Sequence, residues 1–226
     1  MHTLILNIET TTKNCSVSLS KNGQMIALKE INEGGYSHAE NLHPFIDAVL
    51  QDTQHDYKDL SGIAVSKGPG SYTGLRIGVS AAKGLCFALD IPLISVDTLL
   101  ALAYKVKVDS GVIIPVLDAR RMEVYQAIFT SKHRQLEVTK ARVVGKDTYN
   151  NYLDKGKVTF IGDAVEKIKA CIKHPKAVFI DNQFPSAKEM AGLSYSKFQQ
   201  QQFEDVAYFE PYYLKDFIAV KSTKKY

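Results

Sequence analysis

Tryptophan is absent from the chain, and cysteine occurs only three times. Cys15, Cys86 and Cys171 stand far apart and form no CxxC pair. That set supports neither a disulfide frame nor a zinc site; three buried free thiols in a reducing compartment are expected. Apolar runs are short. Lys, Asp or Gly interrupts each of them well before the ~18 residues that a membrane span needs. The opening residues Met1-His2-Thr3-Leu4-Ile5-Leu6 carry no basic segment and no cleavage site, so no secretory leader and a cytoplasmic location are expected.

The common catalytic signatures are missing too. There is no GxxxxGK[ST] loop, no GxGxxG fingerprint, no HExxH and no GxSxG elbow. His38 and His43 are five apart, whereas two ligands on one helix face stand three or four apart. The histidines are therefore expected at surfaces and caps, and no metal ligand set is expected. No low-complexity segment occurs; the glutamines at 199–202 are too few to count.

What remains is an ordinary globular composition. Of 226 residues, 45% are apolar and 23% charged, enough for one large domain or two small ones with a substantial core. The net charge of +4 permits an acidic partner without marking a stand-alone nucleic-acid binder.

Periodicity gives the organisation. Leu4-Ile5-Leu6-Asn7-Ile8 reads as a central strand, and residues 15–20 alternate as a strand with one buried and one polar face. Asn22-Gly23 marks a type I′ hairpin into a returning strand at 25–31. Ser37 and Glu40 form a capping box for a helix over 39–52, whose stripe is Leu42, Phe45, Ile46, Val49 and Leu50. Pro44 is expected to kink this helix or move its start to about Asn41. Strands at 63–66 and 93–96 flank a small-residue helix at 73–89, and Asp97 caps a helix to about Tyr104. The order is then βββ-α-β-α-β-α, a mixed sheet covered by helices. A similar order restarts after Asp109-Ser110-Gly111. It has strands at 112–117, 124–129 and 136–144, helical segments at 147–154, 163–173 and 186–202, and further strands at 158–161 and 177–180. Ile5-Leu6-Asn7-Ile8-Glu9 and Ile114-Pro115-Val116-Leu117-Asp118 match as carboxylate-ended strands. This pattern predicts a duplicated α/β unit with a cleft between halves: an N-terminal subdomain at 1–108 and a C-terminal one at 109–226, whose last residues pack back on the first.

The most informative stretch is Lys67-Gly68-Pro69-Gly70-Ser71-Tyr72-Thr73-Gly74-Leu75-Arg76-Ile77-Gly78, which follows a strand and opens a helix. Gly68, Gly70 and Ser71 could hold an anion on free helix N–H groups, or simply make a tight turn. Gly74, Gly78, Ala81, Ala82 and Leu85 give the helix a small-residue face. That face packs against its own sheet or receives a helix from a second protein. Glu9, with Thr10 and Thr11 behind it, and Asp118 end their strands where a magnesium-bound phosphate or a general base would stand, or are plain strand ends and turn caps. Arg120, Arg121, Lys132, His133 and Arg134, with Lys221, Lys224 and Lys225, form a candidate basic strip for nucleic-acid phosphates or a solvated face.

The loop at 67–78 strongly resembles the signature of the TsaB (YeaZ) family. Ile8-Glu9-Thr10-Thr11, Cys15-Ser16-Val17, His38-Ala39-Glu40 before Pro44-Phe45-Ile46, Ile91-Pro92-Leu93-Ile94-Ser95-Val96 and the stretch Leu117–Tyr125 agree with it, as does Phe209-Glu210-Pro211-Tyr212-Tyr213-Leu214. The resemblance covers residues 3–129 specifically and the rest loosely. It implies an actin/hexokinase-like fold (ribonuclease H-like) of two related subdomains. It also implies a role in forming N6-threonylcarbamoyladenosine beside the anticodon of tRNAs that read ANN codons. There the paralogue TsaD is the transferase, TsaB its partner and the ATPase TsaE a third subunit. TsaD carries an HxxxH metal pair at positions matching Thr98 and Leu102, neither of which replaces imidazole. The resemblance thus implies a non-catalytic subunit with no catalytic residue and no metal of its own.

By the same resemblance, members pair through the first subdomain's helices, with TsaD or as homodimers. The implied interface is Leu42, Phe45, Ile46, Val49, Gly74, Ile77, Gly78, Ala81, Ala82 and Leu85. No cofactor is expected to bind tightly, and ATP or ADP with magnesium is left to the joint with TsaD. Glu9 stands where the family often has Asp, and its extra methylene alters any geometry built for the shorter acid. The competing reading is a small-molecule kinase or ATPase of the same fold using Glu9 or Asp118. Glycoprotease, an older label for such relatives, finds no protease constellation here.

Overall fold

A computed structural model describes residues 2–32 and 38–215. The first half runs β1 (Leu4–Glu9), β2 (Cys15–Lys21), β3 (Gln24–Ile31), α1 (His38–Asp52), β4 (Gly62–Ser66), α2 (Tyr72–Leu89), β5 (Leu93–Val96) and α3 (Thr98–Ala103). The second runs β6 (Val112–Asp118), β7 (Glu123–Thr130), β8 (Gln135–Val143), α4 (Asn150–Leu153), β9 (Val158–Gly162), α5 (Val165–Cys171), β10 (Ala177–Asp181) and α6 (Ala187–Gln199).

The first sheet is ordered β3-β2-β1-β4-β5 and the second β10-β9-β6-β7-β8. Read in reverse, the second is the first with every strand replaced by its counterpart. In each, three antiparallel strands join two parallel ones. The fold is therefore a duplicated α/β unit of the actin/hexokinase-like kind, and β1 and β6 are equivalent, as the matched carboxylate ends predicted.

Alternation along β1 explains how its two faces are filled. Leu4, Leu6 and Ile8 enter a core shared with α1 and α2. Ile5 enters the opposite core with Met190 of α6. The polar face of β2 is covered rather than solvated. Ser18 Oγ donates to the Ala187 carbonyl at 2.8 Å, and Ser16 Oγ accepts from the Ala187 N–H at 3.1 Å. Thus α6, from the second half of the sequence, roofs the first sheet. The second half builds its own core around Phe160 and Tyr149, and shares another, around Phe129 and Leu117, with Leu99, Leu102 and Ala103 of α3.

After α6 the chain becomes a strap over residues 203–215. The Glu204 N–H reaches the Leu93 carbonyl at 2.9 Å, Val206 and Phe209 pack into the first core, and the Tyr212 N–H reaches the Lys67 carbonyl at 2.7 Å. Lys215 then pairs with Glu123 of the second half.

One sequence expectation is narrowed and two are corrected. α1 keeps Pro44 inside it and begins at His38, so the proline does not delay the helix to Asn41. Of the helical stretch at 147–154 only α4 is helical, because Thr148 Oγ1 accepts from the Gly145 N–H at 2.8 Å and holds a turn first. Cys15 and Cys86 are buried free thiols, but Cys171 is half-buried. The proposed cap Ser37 lies outside the described residues.

Candidate functional site

A cleft of about 650 Å³ opens between the two sheets. Its near wall is Thr11, Thr12 and the turn Pro69–Thr73; its far wall is Leu117–Arg121, Glu123, Tyr125 and Asp163; Tyr212–Lys215 of the strap cross it. Of the proposed phosphate ligands, Thr11, Gly70, Ser71 and Asp118 come together here. Glu9, Thr10 and Gly68 do not line it.

Glu9 is fully buried. Its Oε1 accepts the Thr11 N–H at 2.6 Å and the Thr11 hydroxyl at 2.5 Å, and its Oε2 accepts the Ser66 hydroxyl. Burial pushes its pKa up, against the pull of the Ser66 and Thr11 hydrogen bonds. Both oxygens are committed to the fold, so Glu9 is corrected from a cleft-facing carboxylate to a buried staple of the β1–Thr11 turn. Thr10 is equally committed: its hydroxyl donates to the Gly74 carbonyl at 2.7 Å. Thr11 has its hydroxyl on Glu9 and its carbonyl on the Ser71 N–H at 2.7 Å, which leaves neither group free for phosphate.

The Gly68-Pro69 peptide is cis, and Gly68 is pinned from behind. Its N–H donates to Thr98 Oγ1 at 3.1 Å and its carbonyl accepts the Thr98 N–H at 3.3 Å. Thr98 and Leu102 are both fully buried. One fastens the loop and the other fills a core, so these two positions are occupied by structural work. Ser71 caps α2, accepting the Gly74 N–H at 3.3 Å.

Across the cleft, Asp118 is partly exposed. Its Oδ1 accepts the Arg120 N–H at 2.6 Å and the Lys167 ammonium at 2.8 Å. The Asp118 N–H donates to Asp163 Oδ1 at 2.9 Å, and burial raises the Asp163 carboxyl to about 6. Sequence reading missed Asp163. Its one signal was its place after the strand Val158–Gly162, in which Gly162 takes φ +142°. Arg120 and Arg121 line the far wall in left-handed conformation. Lys132, His133 and Arg134 sit in the turn at the other end of β7, roughly 25 Å of strand away. His133 Nε2 lies at 3.0 Å from the Ala103 carbonyl, and its ring stacks on Tyr104. The candidate basic strip is therefore two separate sites. Lys221, Lys224 and Lys225 lie outside the described residues.

The interface candidates divide by burial. Leu42, Ile46, Val49 and Ala82 have no exposed surface. Gly74 and Gly78 face Thr10, where a Cβ on the first would overlap the Thr10 carbonyl and one on the second the Thr10 hydroxyl. These six are taken up by the chain's own packing, which corrects the expectation that they face outward. Phe45, Ile77, Ala81 and Leu85 remain half-buried at the surface. The exposed side of α2 beside them carries Ser80, Gly84 and Phe87, the last 85% exposed.

Comparison with known proteins decides the lineage. The sequence pattern of the family described as TsaD: tRNA N6-adenosine threonylcarbamoyltransferase matches residues 33–222. The chain belongs to this family, in its TsaB (YeaZ) branch. It is 39% identical over 133 residues to the tRNA threonylcarbamoyladenosine biosynthesis protein TsaB of Bacillus subtilis, a match covering 59% of this chain and 58% of that one. It is 28% identical to the protein of the same name from Escherichia coli, over 96% of each. YeaZ from Pseudomonas aeruginosa has the same fold, with a TM-score of 0.79 at 22% identity, covering 94% of this chain and 100% of that one. The chain thus spans just under three fifths of the Bacillus relative in the aligned region. Those relatives are named as proteins of tRNA threonylcarbamoyladenosine biosynthesis. Among the described residues, no helix is long and apolar enough to cross a membrane.

Proposed function

We propose that the chain is a non-catalytic subunit of the assembly that forms N6-threonylcarbamoyladenosine beside the anticodon of tRNAs reading ANN codons. In this reading it docks helix against helix on a TsaD-like transferase and activates it. A TsaE-like ATPase is the third subunit, tRNA is engaged through the assembly, and a homodimer is the alternative pairing of the free chain.

The observation that carries the reading is the surface of α1 and α2. Phe45, Ile77, Ala81 and Leu85 border an exposed side on which Phe87 stands 85% in solvent. It is the grouping of Phe87 with the half-buried Phe45, Ile77, Ala81 and Leu85, rather than one exposed ring, that marks a contact surface. The buried groups agree: Glu9, Thr98 and Leu102 are all engaged within the fold.

ATP or ADP with magnesium would sit loosely in the interlobe cleft or at the joint with the transferase. Gly70 and Ser71 offer backbone and hydroxyl donors, and Arg120 and Arg121 supply charge for the phosphates. Of the two candidate acids, Glu9 and Asp118, Asp118 is the one that lines the cleft, with Lys167 already on it. When bound, such a group would add phosphate contacts between the two lobes.

The test is threonylcarbamoylation of tRNA by the purified transferase with and without this chain, alongside ATP turnover by the chain alone. Activity that requires both proteins, with no turnover by the chain alone, supports the subunit. Turnover by the chain alone, lost in Asp118→Asn, would replace it with the kinase or ATPase reading.

A further inference from the structure

A second groove, of about 740 Å³, runs on the other side of the strap, between it and β8. This volume lies in the range of ligand pockets, ~300–1,000 Å³. Its charged side chains are four carboxylates, Asp97, Glu204, Asp205 and Glu210, against one ammonium, Lys67. That balance runs opposite to the net +4 of the whole chain.

The acids differ in freedom. Asp97 pairs with Lys67 at 3.4 Å, Glu204 accepts from Ser95, and Asp205 Oδ1 caps the N–H groups of Ala207 and Tyr208 at 2.8 and 3.1 Å. Among the described residues Glu210 has no ion-pair partner. Exposed apolar groups share the groove: Val138, 72% exposed, and Tyr208, 84% exposed, with Tyr212.

The opposite wall is an edge strand, since β8 ends its sheet. Its pairing with β7 slips twice. Gln126 faces Lys140, Ile128 faces Glu137 and Phe129 faces Gln135, so β8 carries extra residues around Leu136 and Val138–Thr139. Such bulges turn side chains outward and spoil an edge for strand addition. Recognition in this groove would therefore run through side chains.

We propose that this groove binds a cationic segment of a partner protein, an extended peptide that alternates Arg or Lys with aliphatic residues. The guanidinium or ammonium groups meet Glu210, Asp205 and the faces of Tyr208 and Tyr212, and the aliphatic groups meet Val138. The proposal is independent of the α1–α2 surface and of the tRNA role, because the groove lies along β8 and the strap.

The test is fluorescence anisotropy with a labelled nonapeptide of alternating arginine and valine, against one of alternating glutamate and valine. The expected result is saturable binding of the arginine peptide alone, weakened by salt. Glu210→Lys and Val138→Lys, both at exposed positions, should each weaken it by roughly tenfold with unchanged thermal melting. Equal binding by the variants, or equal binding of the glutamate peptide, overturns the proposal. Self-association of the wild type that Val138→Lys abolishes, without peptide binding, would assign the groove to a second copy instead and also overturns it.

Discussion

The hydroxyl of Thr10 donates to the carbonyl of Gly74 at 2.7 Å, and the Thr10 carbonyl fills the space a Gly74 side chain would need. The turn after β1 and the first turn of α2 are thereby pressed backbone to backbone. The glycine is there for that approach, and the cleft's near wall hangs from it, since Ser71, three residues earlier, holds the Thr11 carbonyl.

Gly74→Ala should therefore destabilise the fold by roughly 3 kcal/mol or more, because the overlapping atom is backbone and cannot rotate away. Gly78→Ala should cost less, since it meets the Thr10 hydroxyl. Urea unfolding measures both. A Gly74→Ala protein as stable as wild type would refute the close approach.

Thr98→Val should leave the buried Gly68 N–H without its acceptor and cost about 1–3 kcal/mol. The two residues are hydrogen-bonded in both directions, so the loop should also loosen. Hydrogen exchange at Gly68 and its neighbours should speed up in the variant; unchanged protection would remove Thr98 from this role.

Asp163 gives the chain a pH signature. Its folded-state carboxyl is raised to about 6 from 3.8, so the folded protein holds that proton more tightly than the unfolded chain. The stabilisation is fully present below the unfolded value and is lost as pH rises through about 6. Relative to wild type, Asp163→Asn should then gain on the order of 2 kcal/mol between pH 4 and pH 7.5. Urea unfolding of both proteins at the two pH values reads the difference directly, and a constant difference would place the Asp163 pKa elsewhere.

The legible parts of this sequence were those where periodicity and turn chemistry act locally. Asn22 and Gly23 take φ of 51° and 79°, the left-handed pair that an Asn-Gly hairpin requires. The matched ends of β1 and β6 announced the duplication. What the sequence concealed was direction. A helix with Gly74 and Gly78 on one face looks the same whether that face meets a partner or its own β1 turn, and only the Thr10 contacts distinguish the two. Glu9 likewise reads as a cleft carboxylate until Ser66, 57 positions later, is seen to cap it. Asp163 was invisible because a lone acid after a strand has no pattern. The acidic groove depends on the strap meeting β8, a contact between distant segments.

The central claim is that the outward side of α2 receives the transferase. Gly84 lies on that side, and a Cβ added there would meet nothing within 4 Å. Gly84→Arg should therefore keep the fold, even gaining helix propensity by up to ~1 kcal/mol, while projecting a guanidinium beside Phe87 into the contact. Size-exclusion chromatography of wild type and variant, each mixed with the TsaD-like transferase of the same organism, tests this. The account predicts a stable complex for wild type and separate peaks for a folded Gly84→Arg protein. Co-elution of the variant with wild-type yield would contradict it.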